Sequence, residues 1–345
     1  MNLQNILRHM VAIGASDFHL AAGSTPLLRI DGDLQGMEGE GVVSETAVLD
    51  AMGDLLPERF RGDFDNRGHA DFAFEYHGIG RFRANAFKHL RGASLAIRSI
   101  PQKIPTLEAL ACPPIIERIA GYPNGLVLVT GPTGSGKSTT LAAMIDHINR
   151  TRRDHILTIE DPIEFVHPNR GCLLSQREVH EHTEDFSGAL RAALREDPDV
   201  ILVGEMRDME TVRLAMTAAE TGHLVLATLH TVSAPKTMDR IIGVFPSPEQ
   251  PLARAMLSES LRAVISQVLC KKHGGGRVAA WEILLSIPAV RNLIAQHKVG
   301  HLYSVIQTNG AIGMTTLKQS VDRLLQGKII DESEAARVLA DSGDP

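Results

Sequence analysis

Residues 125–140 read GLVLVTGPTGSGKSTT. An apolar stretch enters a glycine-rich turn of the form G-x-x-x-x-G-K-[ST], and the helical spacing of TLAAMIDHI follows at once. A strand, this turn and a helix in that order predict a loop whose backbone amides and helix N-terminus hold phosphate groups. We call this segment the phosphate loop, and it comprises Gly131, Pro132, Thr133, Gly134, Ser135, Gly136, Lys137, Ser138 and Thr139.

Two side chains of the phosphate loop carry the expected chemistry. In loops of this pattern the lysine, here Lys137, reaches the β- and γ-phosphates, and the hydroxyl at Ser138 ligates Mg²⁺. Glycine at positions 131, 134 and 136 allows the tight wrap that turns the amide hydrogens inward. A nucleoside triphosphate with Mg²⁺ is therefore the expected ligand.

The sequence around the phosphate loop alternates between apolar strands and helices. Near-continuous apolar runs predict strands at residues 125–131, 155–161, 199–205 and 223–230. Helical spacing of apolar residues characterises the stretches between them, residues 139–150, 186–196 and 209–222. Continuous apolar strands separated by helices indicate an α/β fold with a mainly parallel sheet covered on both faces.

Acids and histidines stand where these predicted strands end. Glu160 and Asp161 end the second strand and Glu164 follows it, Glu205 ends the third, and His230 ends the fourth. Ligands of open α/β sheets bind at the carboxyl ends of the strands, and phosphoryl transfer to water needs groups that orient the water and neutralise charge. Any one of these side chains alone could be a turn or surface residue, but together they predict a site that acts on phosphate.

The first hundred residues predict a small α+β unit of their own. A helix opens the chain, Asp31-Gly32 predicts a turn, and alternating patterns predict an antiparallel meander with strands at residues 17–20, 26–30, 71–76, 81–87 and 94–100. The stretch PQKIP, with Pro101 and Pro105 at its ends, predicts a stiff linker. The expected domain boundaries are 1–100, a linker at 101–114, a nucleotide-binding core at 115–285 and a helical C-terminal segment at 286–345.

The residues after the predicted parallel sheet have helical spacing. Residues 249–270 predict one long amphipathic helix, with a stripe formed by Leu252, Met256, Leu261, Ile265 and Leu269. The break KKHGGGR follows, and the remaining sequence predicts mainly helices.

Composition excludes several classes of protein. The formal net charge of −6 argues against a protein that coats nucleic acid through a basic face, although a local basic channel stays open. The three cysteines are far apart, so neither a disulfide framework nor a zinc ribbon is expected, and a reducing cytoplasm suits the chain. The first twenty residues do not read as a signal peptide, and no apolar run approaches the roughly 20 residues that span a bilayer. We expect no direct membrane insertion.

Long strings of this sequence resemble the secretion ATPase superfamily, and within it the type IV pilus retraction ATPases. The resemblance extends over nearly the whole chain and includes the phosphate loop. It is carried further by the strings ASDFHL, LLRIDGDL, GRFRANAF, ILTIEDPIEFVH, SQREV, ALREDPDVILVGEMRD, TAAETGHLVLATLHT, DRIIGVFP, MLSESLRAVISQ, GGGRVAAWEIL and PAVRNLI.

The resemblance implies a fold and an activity. The expected fold is a PAS-like N-terminal domain followed by a RecA-like domain, and the expected activity is Mg²⁺-dependent ATP hydrolysis. The expected assembly is a homohexameric ring with nucleotide between subunits, in the cytoplasm at the inner-membrane base of the pilus. Its expected partners are an inner-membrane platform protein and a paralogous retraction ATPase.

The resemblance also implies roles for the acids and His230. Glu164 and Glu205 correspond to acids that orient water and complete the metal shell, so Ser138 and Glu205 are the expected metal ligands. His230 would sense the γ-phosphate. Gly204 stands where many nucleotide hydrolases carry a magnesium-holding aspartate, but glycine before glutamate is the pattern of this family.

Arginines of the first domain are expected to reach phosphate as mobile guanidinium groups when domains close. The candidates are Arg81, Arg83 and Arg98.

One C-terminal motif departs from the family. Where the family reads AIRNLIRE, residues 289–296 read AVRNLIAQ, so that Ala295 and Gln296 replace an Arg-Glu pair associated with retraction. Two functions therefore stay open, the retraction ATPase and a paralogous accessory retraction ATPase. Pilus-extension and type II secretion ATPases carry a four-cysteine zinc insert, which three scattered cysteines do not supply. A nucleic-acid translocase with the same core is the alternative from another class, and a non-hydrolysing structural subunit would need broken acids.

Overall fold

The computed structural model describes residues 3–30, 32–37, 39–100 and 103–342. The chain divides into two compact units, Met1–Lys103 and Ile104–Pro345. The expected turn at Asp31-Gly32 and the start of the expected linker, Pro101-Gln102, include residues outside the described ranges. Among the described residues, no helix combines the length and the apolar character needed to cross a membrane.

The first unit is an α+β unit built on one antiparallel sheet. Its helices are α1 (Leu3–Ala12), α2 (Glu45–Leu55) and α3 (Glu58–Arg67). Its strands are β1 (Asp17–Ala21), β2 (Leu27–Ile30), β3 (Asp33–Gly36), β4 (His69–Tyr76), β5 (Gly80–His89) and β6 (Gly92–Ile100). The sheet order is β3-β2-β1-β6-β5-β4, which confirms the five predicted strands and the meander of β4, β5 and β6.

The core of the first unit follows from the alternation of its strands. Along β5, Phe82, Ala84 and Ala86 are fully buried while the residues between them are partly exposed. Such a period of two places one face of a sheet on a core and leaves the other accessible. Helices α1 and α2 contribute Leu7, Met10 and Val48 to the same apolar cluster.

The second unit contains a seven-stranded mixed sheet. Its helices are α4 (Pro114–Ala120), α5 (Lys137–Thr151), α6 (Phe186–Ala193), α7 (Met209–Glu220), α8 (Ala234–Gly243), α9 (Gln250–Ser260), α10 (Pro288–Ala295), α11 (Leu302–Thr308), α12 (Leu317–Gln326) and α13 (Glu332–Ser342). Its strands are β7 (Gly125–Thr130), β8 (His155–Glu160), β9 (Leu173–Glu178), β10 (Val200–Val203), β11 (Leu224–Leu229), β12 (Leu261–Lys271) and β13 (Arg277–Leu285). Short 3₁₀ turns occupy Val299–His301 and Gly310–Ile312.

The sheet of the second unit confirms the predicted α/β class. Its order is β13-β12-β7-β11-β10-β8-β9, and every neighbouring pair is parallel except β12 with β13. All residues of β7, β10 and β11 are buried, as expected for central strands covered by helices on both faces. Because β7, β8, β10 and β11 run in the same direction, their carboxyl ends meet at one edge of the sheet.

The long helix predicted for residues 249–270 is wrong. Helix α9 ends at Ser260, and β12 begins at Leu261 and runs between β7 and β13. The segment from Leu261 includes Val264, Ile265 and Val268 and is mostly buried, so it suits a strand that has neighbours on both sides. A short apolar run does not reveal its period when both faces are buried, which is why helical spacing was misleading.

Candidate nucleotide site

The phosphate loop connects the central strand β7 to the N-terminus of α5. Glycines 131, 134 and 136 have φ of 145°, 78° and 87°, a region that side chains with a Cβ rarely adopt. Helix α5 begins at Lys137 directly after Gly136, so its first backbone amides have no carbonyl partner within the helix. Amides and helix dipole together give this turn a positive potential suited to phosphate.

Close packing beneath the loop explains two of its glycines. A Cβ at Gly131 would lie 2.3 Å from the backbone oxygen of Gln267, and one at Gly136 would lie 3.0 Å from the Gln267 side-chain nitrogen. The loop therefore rests on β12, the strand that the sequence did not predict. Only a residue without a Cβ fits at position 131, because a backbone oxygen cannot swing away as a flexible side chain can.

The amide of Gln267 fixes the loop from below. Its Nε2 donates to the carbonyl oxygen of Ser135, and its Oε1 accepts from Thr140 Oγ1 at 2.8 Å. One residue earlier on β12, the hydroxyl of Ser266 lies 2.8 Å from that of Thr130, at the end of β7. Gln267 is 2% exposed, so both of its polar atoms depend on these partners.

We expect Gln267→Leu to lower the free energy of unfolding by about 2 kcal/mol. The substitution keeps the volume but leaves a buried carbonyl and a buried hydroxyl without partners, at about 1–3 kcal/mol for each orphaned group, less what local relaxation recovers. Urea denaturation of the wild type and the variant measures the difference. Gln307→Leu, at an exposed position on α11, is the matched control and should change stability by less than about 0.5 kcal/mol.

Lys137 lies over the loop rather than in solvent. Its Nζ donates to the backbone oxygens of Gly131 at 2.9 Å and Pro132 at 3.1 Å, and its side chain is largely buried. Burial lowers the pKa of the Lys137 ammonium, and the charges of Glu205 and Glu164 oppose that shift.

His230 connects Lys137 with Glu205. Its Nδ1 lies 3.5 Å from Lys137 Nζ, and its Nε2 lies 3.2 Å from Glu205 Oε1. The second carboxylate oxygen of Glu205 accepts from Arg207 Nη2 at 2.7 Å. These contacts bring together residues that the sequence placed after three different strands, β7, β10 and β11.

Glu205 is held as a carboxylate. Burial raises the pKa of its carboxyl, but the hydrogen bonds and charges of Arg207 and His230 outweigh burial, so the pKa lies below its ordinary value. An ionised acid beside the phosphate loop can accept a proton from water or ligate a cation.

Gly204 brings the strand ends close together. A Cβ at this position would lie 3.1 Å from the backbone oxygen of Ile159 and 3.3 Å from the Cα of Glu160. The Gly204 amide donates to that same Ile159 oxygen at 2.8 Å, and its carbonyl accepts from the Thr228 hydroxyl. Glycine before Glu205 therefore allows β10 and β8 to approach at the site, which gives a physical reason for the residue that replaces an aspartate.

Glu160, the last residue of β8, and Glu164, four residues later, differ in environment. Glu164 is exposed, on the irregular segment that follows Asp161 and Pro162. Burial raises the pKa of the Glu160 carboxyl to about 7, although Thr158 Oγ1 and Gln176 Nε2 donate to its Oε1 at 2.8 and 3.3 Å. Glu160 is thus a packed acid at the strand end, and Glu164 is the one with access to solvent.

The donor atoms present at the site fit Mg²⁺ that is also bound by phosphate. Ser138 is half-buried as the second residue of α5, and Glu205 offers an ionised carboxylate. Mg²⁺ takes oxygen ligands and commonly uses one or two protein groups together with substrate phosphates and water. Within the described ranges, no cluster of three or more His, Cys, Asp or Glu residues could hold a metal by itself.

Comparison with known proteins identifies the family. Residues 72–280 match the family model described as type II/IV secretion system protein. Over 335 residues, the chain is 53% identical to the type IV pilus retraction ATPase PilT of Pseudomonas aeruginosa, covering 97% of each protein. The chain belongs to the type II/IV secretion system protein family.

Two further relatives of this family bear on the site and its function. The type IV pilus ATPase PilU of Pseudomonas aeruginosa is 39% identical over 346 residues, covering 100% of this chain and 90% of PilU. A crystal structure of the pilus retraction motor PilT with bound ADP is 44% identical and superimposes with a TM-score of 0.90, covering 98% of this chain and 96% of that one. The fold of this family member is therefore that of PilT over almost its whole length.

The three candidate arginines lie in the sheet of the first unit. Arg81 and Arg83 are on β5 and Arg98 is on β6, where Arg83 and Arg98 are register partners. Arg98 Nε donates to Asp17 Oδ1 at 2.8 Å, and Arg83 Nη2 lies 3.9 Å from Asp71 Oδ1. Their role toward phosphate remains a prediction.

The departure from the C-terminal motif lies at the surface. Ala295 is the last residue of α10, Gln296 caps the helix, and both are exposed. Gln296 Nε2 donates to Asn292 Oδ1 at 2.8 Å, one turn earlier. The substitutions therefore change what this helix end presents to solvent and leave the core of the second unit as it is.

Proposed function

We propose that this chain is a Mg²⁺-dependent ATPase motor that drives the retraction of type IV pili. The observation that carries the proposal is the connection from Lys137 through His230 to Glu205, at the strand ends beside the phosphate loop. These two contacts join a cation that can bind phosphate, a histidine next to that cation and an ionised acid. The similarity to PilT, a pilus retraction motor with a crystal structure that contains ADP, supports an adenine nucleotide as the ligand and the pilus as the object of the motor.

In this proposal the side chains divide the work of ATP hydrolysis. The phosphate loop binds the phosphates through its amides, and Lys137 neutralises charge on the β- and γ-phosphates. Mg²⁺, bound by Ser138 and Glu205 when present, would withdraw charge from the phosphate oxygens. Glu205 and Glu164 orient the attacking water, and His230 changes its contacts with Lys137 and Glu205 when a γ-phosphate occupies the site.

We further propose that the chain works as a homohexamer at the cytoplasmic, inner-membrane base of the pilus, against a platform protein. In such a ring Arg81, Arg83 and Arg98 would reach phosphate when domains close, which requires Arg98 to leave Asp17. The guanidinium groups would then stabilise the charge of the transition state only when the domains are closed. This dependence would couple hydrolysis to movement.

Relative similarity favours the retraction ATPase over its paralogue. Identity is 53% with PilT and 39% with PilU, each over almost the whole chain. The change at Ala295 and Gln296 is confined to an exposed helix end, so it affects a partner contact rather than the nucleotide site. The accessory paralogue stays the second candidate because Ala295 and Gln296 replace a pair associated with retraction.

Purified protein tests the enzymatic part of the proposal. We expect slow ATP hydrolysis with Mg²⁺ and its loss when EDTA removes the metal, because Mg²⁺ would share with Lys137 the neutralisation of charge on the phosphate oxygens. Native mass spectrometry with nucleotide should show six copies. Stimulation of turnover by single-stranded DNA would instead favour a nucleic-acid translocase, and turnover undiminished by EDTA would contradict the metal dependence.

A further inference from the structure

Glu164 lies on an irregular segment, residues 163–168, that we call the acid segment. Its side chains alternate in exposure: Ile163, Phe165 and His167 are buried, while Glu164 and the other intervening residues are exposed. This alternation is typical of a strand, yet the segment lies outside the seven strands of the sheet. Contacts other than a backbone ladder must therefore hold this segment in place.

Side chains of β9 take the place of a neighbouring strand. Gln176 Oε1 accepts from the amide of His167 at 2.8 Å, and Gln176 Nε2 donates to the carbonyl oxygen of Phe165 at 2.8 Å. Two residues further along the same face of β9, Glu178 Oε2 accepts from the amide of Ile163 at 3.1 Å. The backbone is thus bonded on both sides of Glu164.

The far end of the loop is anchored separately to α5. Asn149 Nδ2 donates to the carbonyl oxygen of Pro168 at 2.7 Å, and its Oδ1 accepts from the amides of Arg170 and Cys172 at 3.1 and 3.3 Å. Asn149 is fully buried on the helix that begins at Lys137. Between this anchor and the end of β8, the side chains from β9 hold the backbone next to Glu164.

We propose that Gln176 is a positioning residue that fixes Glu164 for hydrolysis. This inference rests on the proposed function, because it assumes that Glu164 orients water. Gln176 does not itself reach the phosphates in this account; its amide acts as a short piece of strand that holds the backbone at Phe165 and His167. Displacing a reacting group by about 1 Å can cost about 10²-fold in rate, so a segment free to move would slow hydrolysis without altering the phosphate loop.

A purely structural role is the competing explanation. Gln176 Nε2 also lies 3.3 Å from the buried carboxyl of Glu160, so its loss could simply weaken the fold at the end of β8. The two explanations differ in what they predict for binding and for epistasis. If Gln176 only positions Glu164, its loss lowers kcat and leaves nucleotide affinity unchanged. The same loss then has no further effect on kcat in a variant that already lacks a functional Glu164.

The experiment compares Gln176→Met, which removes both polar atoms at similar length, with Gln176→Glu, which keeps only the acceptor for His167. We expect kcat to fall about 10- to 100-fold in Gln176→Met, and in Gln176→Glu by at least as much because a second carboxylate would face Glu160. ADP affinity should stay within about threefold of wild type, and in a Glu164→Gln background Gln176→Met should cause no further loss. Ser175→Ala, which removes the hydrogen bond to His155 from the same strand, is the control and should retain wild-type kcat.

The outcomes separate this inference from the proposed function. An inactive Glu164→Gln together with wild-type kcat in Gln176→Met overturns the inference alone. Wild-type kcat in Glu164→Gln overturns the role of Glu164, and the inference with it. Equal losses of kcat and ADP affinity in Gln176→Met, or losses that multiply in the double variant, show a structural role and also overturn the inference.

Discussion

Lys137→Ala should reduce ATP hydrolysis by about 10³-fold or more, to background. The lysine is held over the phosphate loop by two backbone oxygens and lies beside His230, so its ammonium is already in place for phosphate. A preorganised cation in a partly buried site stabilises the charge that develops on transferring phosphate far better than a hydrated one, and alanine leaves nothing to replace it. The same change should weaken ATP binding, since the lysine contacts phosphate in the ground state as well.

Phosphate release from Mg²⁺-ATP measures the effect of Lys137→Ala. Lys318→Ala, at an exposed position on α12, has the same change of charge and should hydrolyse ATP at the wild-type rate. Turnover of Lys137→Ala within tenfold of the wild-type rate would contradict a role of the phosphate loop in hydrolysis.

Glu205→Ala should separate binding from hydrolysis. We expect a loss of about 10²-fold or more in kcat while ATP still binds, because Glu205 lies next to His230 at the strand end rather than within the phosphate loop. The carboxylate is ionised at neutral pH, since Arg207 and His230 together hold its pKa below the ordinary value against the effect of burial. Alanine removes a group that can order water or complete a metal shell.

The control for Glu205→Ala is Glu210→Ala, which removes an equal charge. Glu210 is on the first turn of α7 and forms an exposed ion pair with Arg191. It should leave kcat unchanged, since exposed pairs contribute little. Equilibrium binding of a fluorescent ATP analogue, measured beside turnover, shows whether affinity is retained. Wild-type turnover in Glu205→Ala would show that another residue activates the water.

Much of the candidate site could be predicted because its signals are local. The phosphate loop is a contiguous motif, and Glu164, Glu205 and His230 each come shortly after an apolar run that had to be a buried strand. The structure then places Lys137, His230 and Glu205 together for a simple reason: parallel strands end at the same edge of a sheet.

The rest depended on contacts between distant residues. Gln267 bonds to Ser135 across 132 residues of chain, and no local pattern announces that β12 lies beneath the phosphate loop. The helical interpretation of residues 249–270 concealed this strand, because apolar residues at positions 261, 265 and 269 fit either period when both faces are buried. Gln176 carries no local signal for a related reason, because its contacts with the acid segment are made to backbone atoms, which any residue has.

Gly204 shows how structure gives a reason that sequence comparison alone lacks. The residue fits the family pattern, but the pattern does not say why glycine is required. The short distance from a Cβ at Gly204 to Ile159 and Glu160 provides the reason, because β8 and β10 come together where Glu205 begins. A larger residue would push apart the two strand ends that carry the acids.

Deletion of the gene, in the organism that encodes the chain, tests the central claim most directly. Cells should lose twitching motility and accumulate surface pili, because extension continues without a motor to withdraw the filaments. Re-introducing the wild-type gene should restore movement and pilus number, whereas Lys137→Ala should restore neither. Cells without pili after the deletion would show that the chain drives extension, and cells with normal pili and motility would contradict a role in retraction.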